Sequence, residues 1–68
     1  MISKDYVIDR VYNKIALVRT LEGKADTQAT AWTQATGYLQ ALLEMEIITV
    51  EEWRTLDGKL FRAFTGIE

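Results

Sequence analysis

The chain contains no proline, and its four glycines are far apart, at positions 23, 37, 58 and 66. Because proline and glycine are the residues that most often end a helix, long uninterrupted helices are allowed. Two breaks are expected. At the first, Gly23 can end one helix and Asp26 can cap the next. At the second, Thr49 is followed three residues later by Glu52, which is the spacing of a capping box, and Gly66 can end the helix that starts there.

Apolar residues recur at helical spacing between these breaks. Strict alternation, which would indicate a strand, fails at residues 6–8, so a helix is preferred there. The sequence predicts an all-α fold, a single three-helix bundle with helices over residues 5–22, 26–46 and 50–65, in which the central helix contacts both others. The predicted core-facing residues are Val7, Ile8, Val11, Ile15 and Val18 in the first helix, Ala31, Trp32, Ala35, Tyr38, Leu39, Leu42, Leu43 and Met45 in the second, and Val50, Trp53, Leu56, Leu60, Phe61, Ala63 and Phe64 in the third.

The length of 68 residues leaves room for one domain, which we expect to span residues 1–68. Ordering each residue costs about 1.5 kcal/mol, which is similar to what burial returns in so small a chain. Disulfides cannot supply the difference, since cysteine is absent. We therefore expect regular helix packing, with homo-oligomerisation as a further source of stability.

Most catalytic chemistry is missing from the composition. The chain has neither cysteine nor histidine, which excludes thiol nucleophiles, imidazole acid–base catalysis and the commonest ligands of transition metals. Glycine-rich phosphate-binding loops and the calcium-loop pattern are absent as well. The sequence predicts no enzyme activity and no catalytic, cofactor-binding or metal site.

The charge balance and hydropathy bear on location and on partners. The formal net charge of −2 argues against binding to nucleic acid or to an anionic membrane, because both favour patches of lysine and arginine. No apolar run approaches the roughly 18 residues that span a bilayer. The first residues lack a cationic leader followed by an apolar core. We expect a cytoplasmic protein without membrane association.

Leftover apolar side chains suggest one candidate interface. Tyr6, Leu17 and Leu21 form a second apolar strip on the first helix, separated from the core-facing arc by Lys14. We call these three residues the apolar strip. Gly58 lies on the polar arc of the third helix, where core packing does not explain it. A tolerated surface glycine and a partner contact both remain open there.

Acidic residues around the second break suggest another candidate. From residue 25 through residue 53 the chain has no lysine or arginine. The glutamates gathered there, called the acidic turn below, are Glu44, Glu46, Glu51 and Glu52. A solvated turn with helix capping explains this acidity, and the functional alternative is a patch that docks on a basic protein surface.

Residues 42–60 carry a family resemblance. The segment LLEMEIITVEEW, followed by Lys59 and Leu60, resembles the helix-turn-helix segment of SHOCT-type short C-terminal modules. It is also similar to the Ile-Thr-x-Glu-Glu-aromatic helix start of small phage proteins of the XkdX type. Both groups usually carry glycine where Glu46 stands. The resemblance implies a short, non-catalytic, oligomerising or accessory segment of bacterial or phage origin.

Together these observations predict a protein–protein interaction module. We expect a small accessory or inhibitor protein that self-associates and binds a protein partner through the apolar strip or the acidic turn. The alternative is a nucleic-acid-associated transcriptional or mobile-element regulator, whose binding would weaken steeply with salt. A third possibility is a small-ligand binder with a pocket between the helices near Trp32 and Trp53.

Overall fold

The computed structural model describes residues 3–66, which fold into three helices. They are α1 (Lys4–Thr20), α2 (Ala25–Glu44) and α3 (Val50–Thr65). Every pair of helices is in contact, and residues 3–66 include no strand, so the predicted three-helix bundle is confirmed. The predicted ends of α1 and α2, residues 22 and 46, lie two residues beyond the observed ends. The predicted domain spans residues 1–68, so its first two and last two residues lie outside the described part of the chain.

Local capping explains where α1 and α3 begin. The Ser3 hydroxyl accepts the backbone N–H of Tyr6 at 3.1 Å, which caps α1. At α3 the Thr49 hydroxyl accepts the Glu52 N–H at 3.1 Å, and the Glu52 carboxylate accepts the Thr49 N–H at 2.8 Å. This reciprocal pair confirms the predicted capping box.

The first break differs in part from the prediction. Gly23 has φ +90° and ends the turn after α1, as expected for a residue without a side chain. Capping of α2 by Asp26 is wrong. The helix begins one residue before Asp26, and its N-cap is Lys24, whose side chain makes no capping hydrogen bond. Asp26 therefore lies inside the first turn, where its charge complements the helix dipole.

The second break is a Schellman turn. The Ile47 N–H donates to the Leu42 carbonyl at 2.9 Å, and the Glu46 N–H donates to the Leu43 carbonyl at 3.0 Å. These two bonds define the motif, which requires a left-handed residue just beyond the helix. That residue is Glu46, with φ +59°. Glutamate thus occupies a conformation that favours glycine, at the position where the resembling segments usually carry one.

The core is apolar and draws on all three helices and on the second turn. Its buried members are Val7, Val11, Ile15, Val18, Ala31, Ala35, Leu39, Leu42, Ile48, Leu56, Leu60 and Ala63. Most of the predicted core-facing positions are thus confirmed. Ile8 and both tryptophans are half-buried at its edge. Ile48 was not predicted, because it lies in the turn, outside any helical pattern.

Three residues of the predicted apolar arcs are exposed instead. Met45, Val50 and Phe61 each leave more than half of their surface in solvent. Met45 is the C-cap of α2 and Val50 is the first residue of α3, so each has neighbours on one side only. Phe61 lies at the edge of its arc. The arcs predicted for α2 and α3 were therefore too wide.

A buried polar contact and an aromatic contact link neighbouring helices. Gln28 is buried, and its amide donates to the Val18 carbonyl at 2.9 Å, which ties the start of α2 to the end of α1. The Val18 carbonyl lies in the last turn of α1 and also accepts the Leu21 N–H at 3.3 Å, so Gln28 gives it a second, shorter hydrogen bond. Between α2 and α3, the rings of Trp32 and Phe64 stack with centroids 5.1 Å apart. The space beside Trp32 is therefore filled by Phe64.

Candidate interaction surfaces

The structure places two of the three residues of the apolar strip in solvent. Tyr6 and Leu17 are 52% and 50% exposed. Leu21 is half-buried and packs against the core, because it is the C-cap of α1, where the chain turns toward α2. The exposed surface of the strip is therefore formed by Tyr6 and Leu17.

Cationic side chains flank this surface. The Arg10 guanidinium lies 5.8 Å from the centroid of the Tyr6 ring. The Lys14 ammonium, predicted to separate the strip from the core, lies 5.1 Å from the centroid of the Tyr38 ring on α2. A depression of about 190 Å³ is lined by Arg10, Asn13, Lys14 and Leu17. The strip thus borders the seam between α1 and α2 and combines aromatic, aliphatic and cationic groups.

The acidic turn has three exposed glutamates and one engaged one. Glu44, Glu46 and Glu51 are exposed. Glu52 is half-buried, and its carboxylate lies 2.7 Å from the Lys4 ammonium. Residues 25–53 contain no lysine or arginine, but the packing of the helices brings Lys4 of α1 into contact with Glu52 in this stretch. Only part of the predicted acidic patch is available to a partner.

The surroundings of Glu52 shift its titration. Its hydrogen bond with the Lys4 ammonium is the main cause that holds the pKa of Glu52 below its usual value, and the Thr49 N–H adds to this effect. Both groups favour the charged carboxylate. Glu52 is therefore a structural anion that joins two helix ends.

A groove that was not predicted runs between α1 and α3. It measures about 370 Å³ and is lined by Ile8, Tyr12, Glu51, Glu52, Thr55 and Leu56. Tyr12 is 45% exposed. On the helical wheel Tyr12 belongs to neither the core arc nor the apolar strip, so only the packing of α3 beside it reveals the groove. One acidic-turn residue, Glu51, forms part of its rim.

Gly58 is half-buried on α3, beside Arg62. A Cβ built there would have only the Arg62 Nη2 atom within 4 Å, at 3.9 Å. Gly37 on α2 has open space at the same position. Packing inside the bundle therefore requires glycine at neither site.

The outer face of α2, formed by Thr30, Thr33, Gly37 and Ala41, is uncharged and has only small side chains. Residues 27–43 contain no charged side chain. The hydroxyls of Thr30 and Thr33 donate to the carbonyls of Asp26 and Ala29, at 3.1 and 2.9 Å. Because these donors are used within the helix, the face offers a partner fewer polar groups than its composition suggests.

The described part of the chain shows neither a metal-binding cluster nor a membrane-spanning helix. Within residues 3–66 no three side chains of the metal-binding acidic, histidine or cysteine types lie together. Across that same stretch, none of the helices combines the length and the apolarity that crossing a bilayer requires. Comparison with known proteins finds no matching protein-family model, no matching curated protein and no matching solved structure.

Proposed function

We propose that this protein is a non-catalytic interaction module, a small accessory or inhibitor protein that self-associates and binds a protein partner. The observation that carries the proposal is the exposure of Tyr6 and Leu17 on one side of α1. Tyrosine is among the residues most often found as interface anchors, and the exposed Leu17 adds apolar surface to the same side of the helix.

The charges around the two surfaces suggest how a partner would be oriented. Arg10 and Lys14 flank the apolar strip, so a partner with an apolar ridge and an acidic rim fits this side of the bundle. The acidic turn presents the opposite charge at the end where α3 begins. Complementary charges of this kind accelerate association and fix orientation more than they add affinity.

The resemblance of residues 42–60 supports a bacterial or phage accessory role in the cytoplasm as part of this proposal. At Glu46 the chain departs from those segments, which usually carry glycine there, and Glu46 itself has φ +59°.

A pull-down of the tagged full chain from bacterial lysate tests the proposal, with recovered proteins identified by mass spectrometry. The informative variant is Leu17→Asp, because Leu17 is exposed and its replacement leaves the core intact. Leu21→Asp is unsuitable, since it would place a charge against the core. Ala16→Asp is the matched control, because Ala16 is an exposed neighbour outside the strip.

We expect a discrete protein to be recovered with the wild type and with Ala16→Asp, and lost with Leu17→Asp. Equal recovery with both variants would remove the apolar strip from the proposal. Recovery of no specific protein would contradict the partner-binding role itself.

The alternative is a nucleic-acid-associated regulator, and the proximity of Arg10, Lys14 and Tyr6 on one exposed surface favours it over other classes. Basic and aromatic groups together bind phosphates and bases. Nuclease treatment of the same lysate separates the two functions. Loss of all captured proteins after nuclease, with DNA retention that falls steeply as salt is added, would favour the regulator.

A further inference from the structure

The outer face of α3 carries opposite charges at its two ends. Glu51, Thr55, Gly58 and Arg62 follow one another at helical spacing and fall within an arc of about 60°. Glu51, Thr55 and Arg62 are exposed and Gly58 is half-buried. We call these four residues the α3 stripe. It begins with an anion, ends with a cation and has small side chains between them.

The charges of the α3 stripe complement those of a second α3 stripe that runs in the opposite direction. Glu51 and Arg62 lie equally far from the midpoint between Thr55 and Gly58, about 8 Å along the helix axis. In an antiparallel pair each Glu51 faces the partner's Arg62, and each Thr55 faces the partner's Gly58. Two-fold interfaces require this self-complementarity. We propose that a second copy of this chain binds the α3 stripe in an antiparallel, two-fold dimer, an inference that rests on the proposed self-association.

The midpoint of the α3 stripe allows close approach of two helices. Gly58 has no side chain, and packing within one chain does not explain it, since a Cβ there would meet no atom closer than 3.9 Å. Glycine within a helix is less favourable than alanine. A second helix that crosses at Gly58 gives this glycine a role, because a larger side chain would hold the two backbones apart.

The groove between α1 and α3 lies beside this midpoint. Its volume is about 370 Å³, and its lining combines Ile8, Tyr12 and Leu56 with Glu51, Glu52 and Thr55. Tyr12 is 45% exposed. The proposed interface therefore has apolar side chains beside the dyad, mixed with the carboxylates at the start of α3, and the Arg62 cation at its other end.

The size of the bundle limits the area that a dimer interface can bury. Its two longest dimensions are 36 Å and 21 Å, so the largest projected face covers about 760 Å². Stable interfaces bury roughly 800 Å² on each partner. A small chain gains buried surface in this way without enlarging its own core.

Charge reversal of the full chain tests the inference by sedimentation velocity. Glu51→Arg and Arg62→Glu each bring like charges together at both ends of a homodimer, so each should weaken dimerisation at least about tenfold. An equimolar mixture of the two variants should dimerise again, because the arginines of one variant then face the glutamates of the other. Asp26→Arg, in the first turn of α2, and Lys24→Glu make the same charge changes at exposed positions outside every proposed surface and should leave the dimer intact.

A second pair of variants avoids the helix ends, where charge reversal also opposes the helix dipole. Gly58→Gln places an uncharged side chain at the midpoint and should abolish dimerisation. Gly37→Gln, on the outer face of α2, should not. Circular dichroism confirms that each variant is folded.

The outcomes separate this inference from the proposed function. A dimer lost in both charge variants and restored in their mixture supports it. A monomeric wild type, or a dimer indifferent to the charge variants and to Gly58→Gln, overturns it. A dimer that dissociates with Leu17→Asp instead also overturns it, while the proposed self-association stands. Partner capture through the apolar strip is decided separately by the pull-down.

Discussion

Lys4 and Glu52 join the first turns of α1 and α3, with the Lys4 Nζ atom 2.7 Å from the Glu52 Oε1 atom. The same oxygen accepts the Thr49 N–H at 2.8 Å. One carboxylate therefore completes the capping box of α3 and holds the beginning of α1 beside it. The neighbouring glutamates of the acidic turn remain in solvent.

This pair predicts an acid-dependent component of stability. The Lys4 ammonium, followed by the Thr49 N–H, lowers the pKa of Glu52 in the folded chain. The stabilisation is therefore complete above the ordinary glutamate pKa of about 4.3 and is lost as the pH falls through the lowered value. Lys4→Met should reduce stability at neutral pH, and its difference from the wild type should shrink in acid. Urea unfolding across this pH range measures both effects.

Lys24→Met is the control for this prediction, because Lys24 is an exposed lysine at the start of α2 that does not contact Glu52. Its effect should not change with pH over the acid range. A Lys4→Met difference that persists unchanged in strong acid would contradict the assignment of the pH dependence to Glu52.

The hydrogen bond of the buried Gln28 amide is expected to contribute to the stability of the fold. Gln28→Met keeps the length of the side chain but removes the 2.9 Å donor to the Val18 carbonyl, which then keeps only the Leu21 N–H at 3.3 Å. We expect the free energy of unfolding to fall by about 0.5–1.5 kcal/mol, the net value of one hydrogen bond. Gln40→Met, on the exposed side of the same helix, should change it by about 0.5 kcal/mol or less. Equal effects in chemical denaturation would show that the buried hydrogen bond contributes nothing.

The number of helices and their approximate ends could be predicted because the signals for them are local. The capping box of Thr49 and Glu52 involves two residues of one turn, and Gly23 needs only its own backbone conformation. Apolar spacing is also fixed within each helix. These signals do not depend on which helix lies beside which.

Contacts between helices could not be predicted in the same way. Gln28 lies at a core position, where its amide donates to the Val18 carbonyl at the end of α1, and this contact exists only when α1 and α2 are packed. Lys4 reaches the acidic turn for a similar reason. Which residues of the apolar strip are exposed could not be predicted either, because it depends on where α1 ends. Leu21 is the C-cap and is half-buried, whereas Leu17 lies within the helix and is exposed.

The aromatic contact between α2 and α3 predicts a contrast between two phenylalanines. Phe64 stacks on Trp32, whereas Phe61 is 55% exposed on the same helix. Phe64→Ala should lower the free energy of unfolding by about 2 kcal/mol and weaken the near-ultraviolet dichroism of tryptophan. Phe61→Ala should lower it by about 0.5 kcal/mol or less. A similar loss for both variants would contradict a specific contribution of the stacked pair.

The backbone at Glu46 predicts a stabilising substitution in the acidic turn. Its φ of +59° is unfavourable for a residue with a side chain, and glycine adopts it without strain. Glu46→Gly should raise the free energy of unfolding by about 0.5–1 kcal/mol. Glu44→Gly removes the same charge inside the last turn of α2 and should lower it by about 1 kcal/mol. Opposite signs in thermal unfolding would establish that the conformation of Glu46, and not its charge, determines the effect, whereas a loss of stability in both variants would contradict the Schellman geometry.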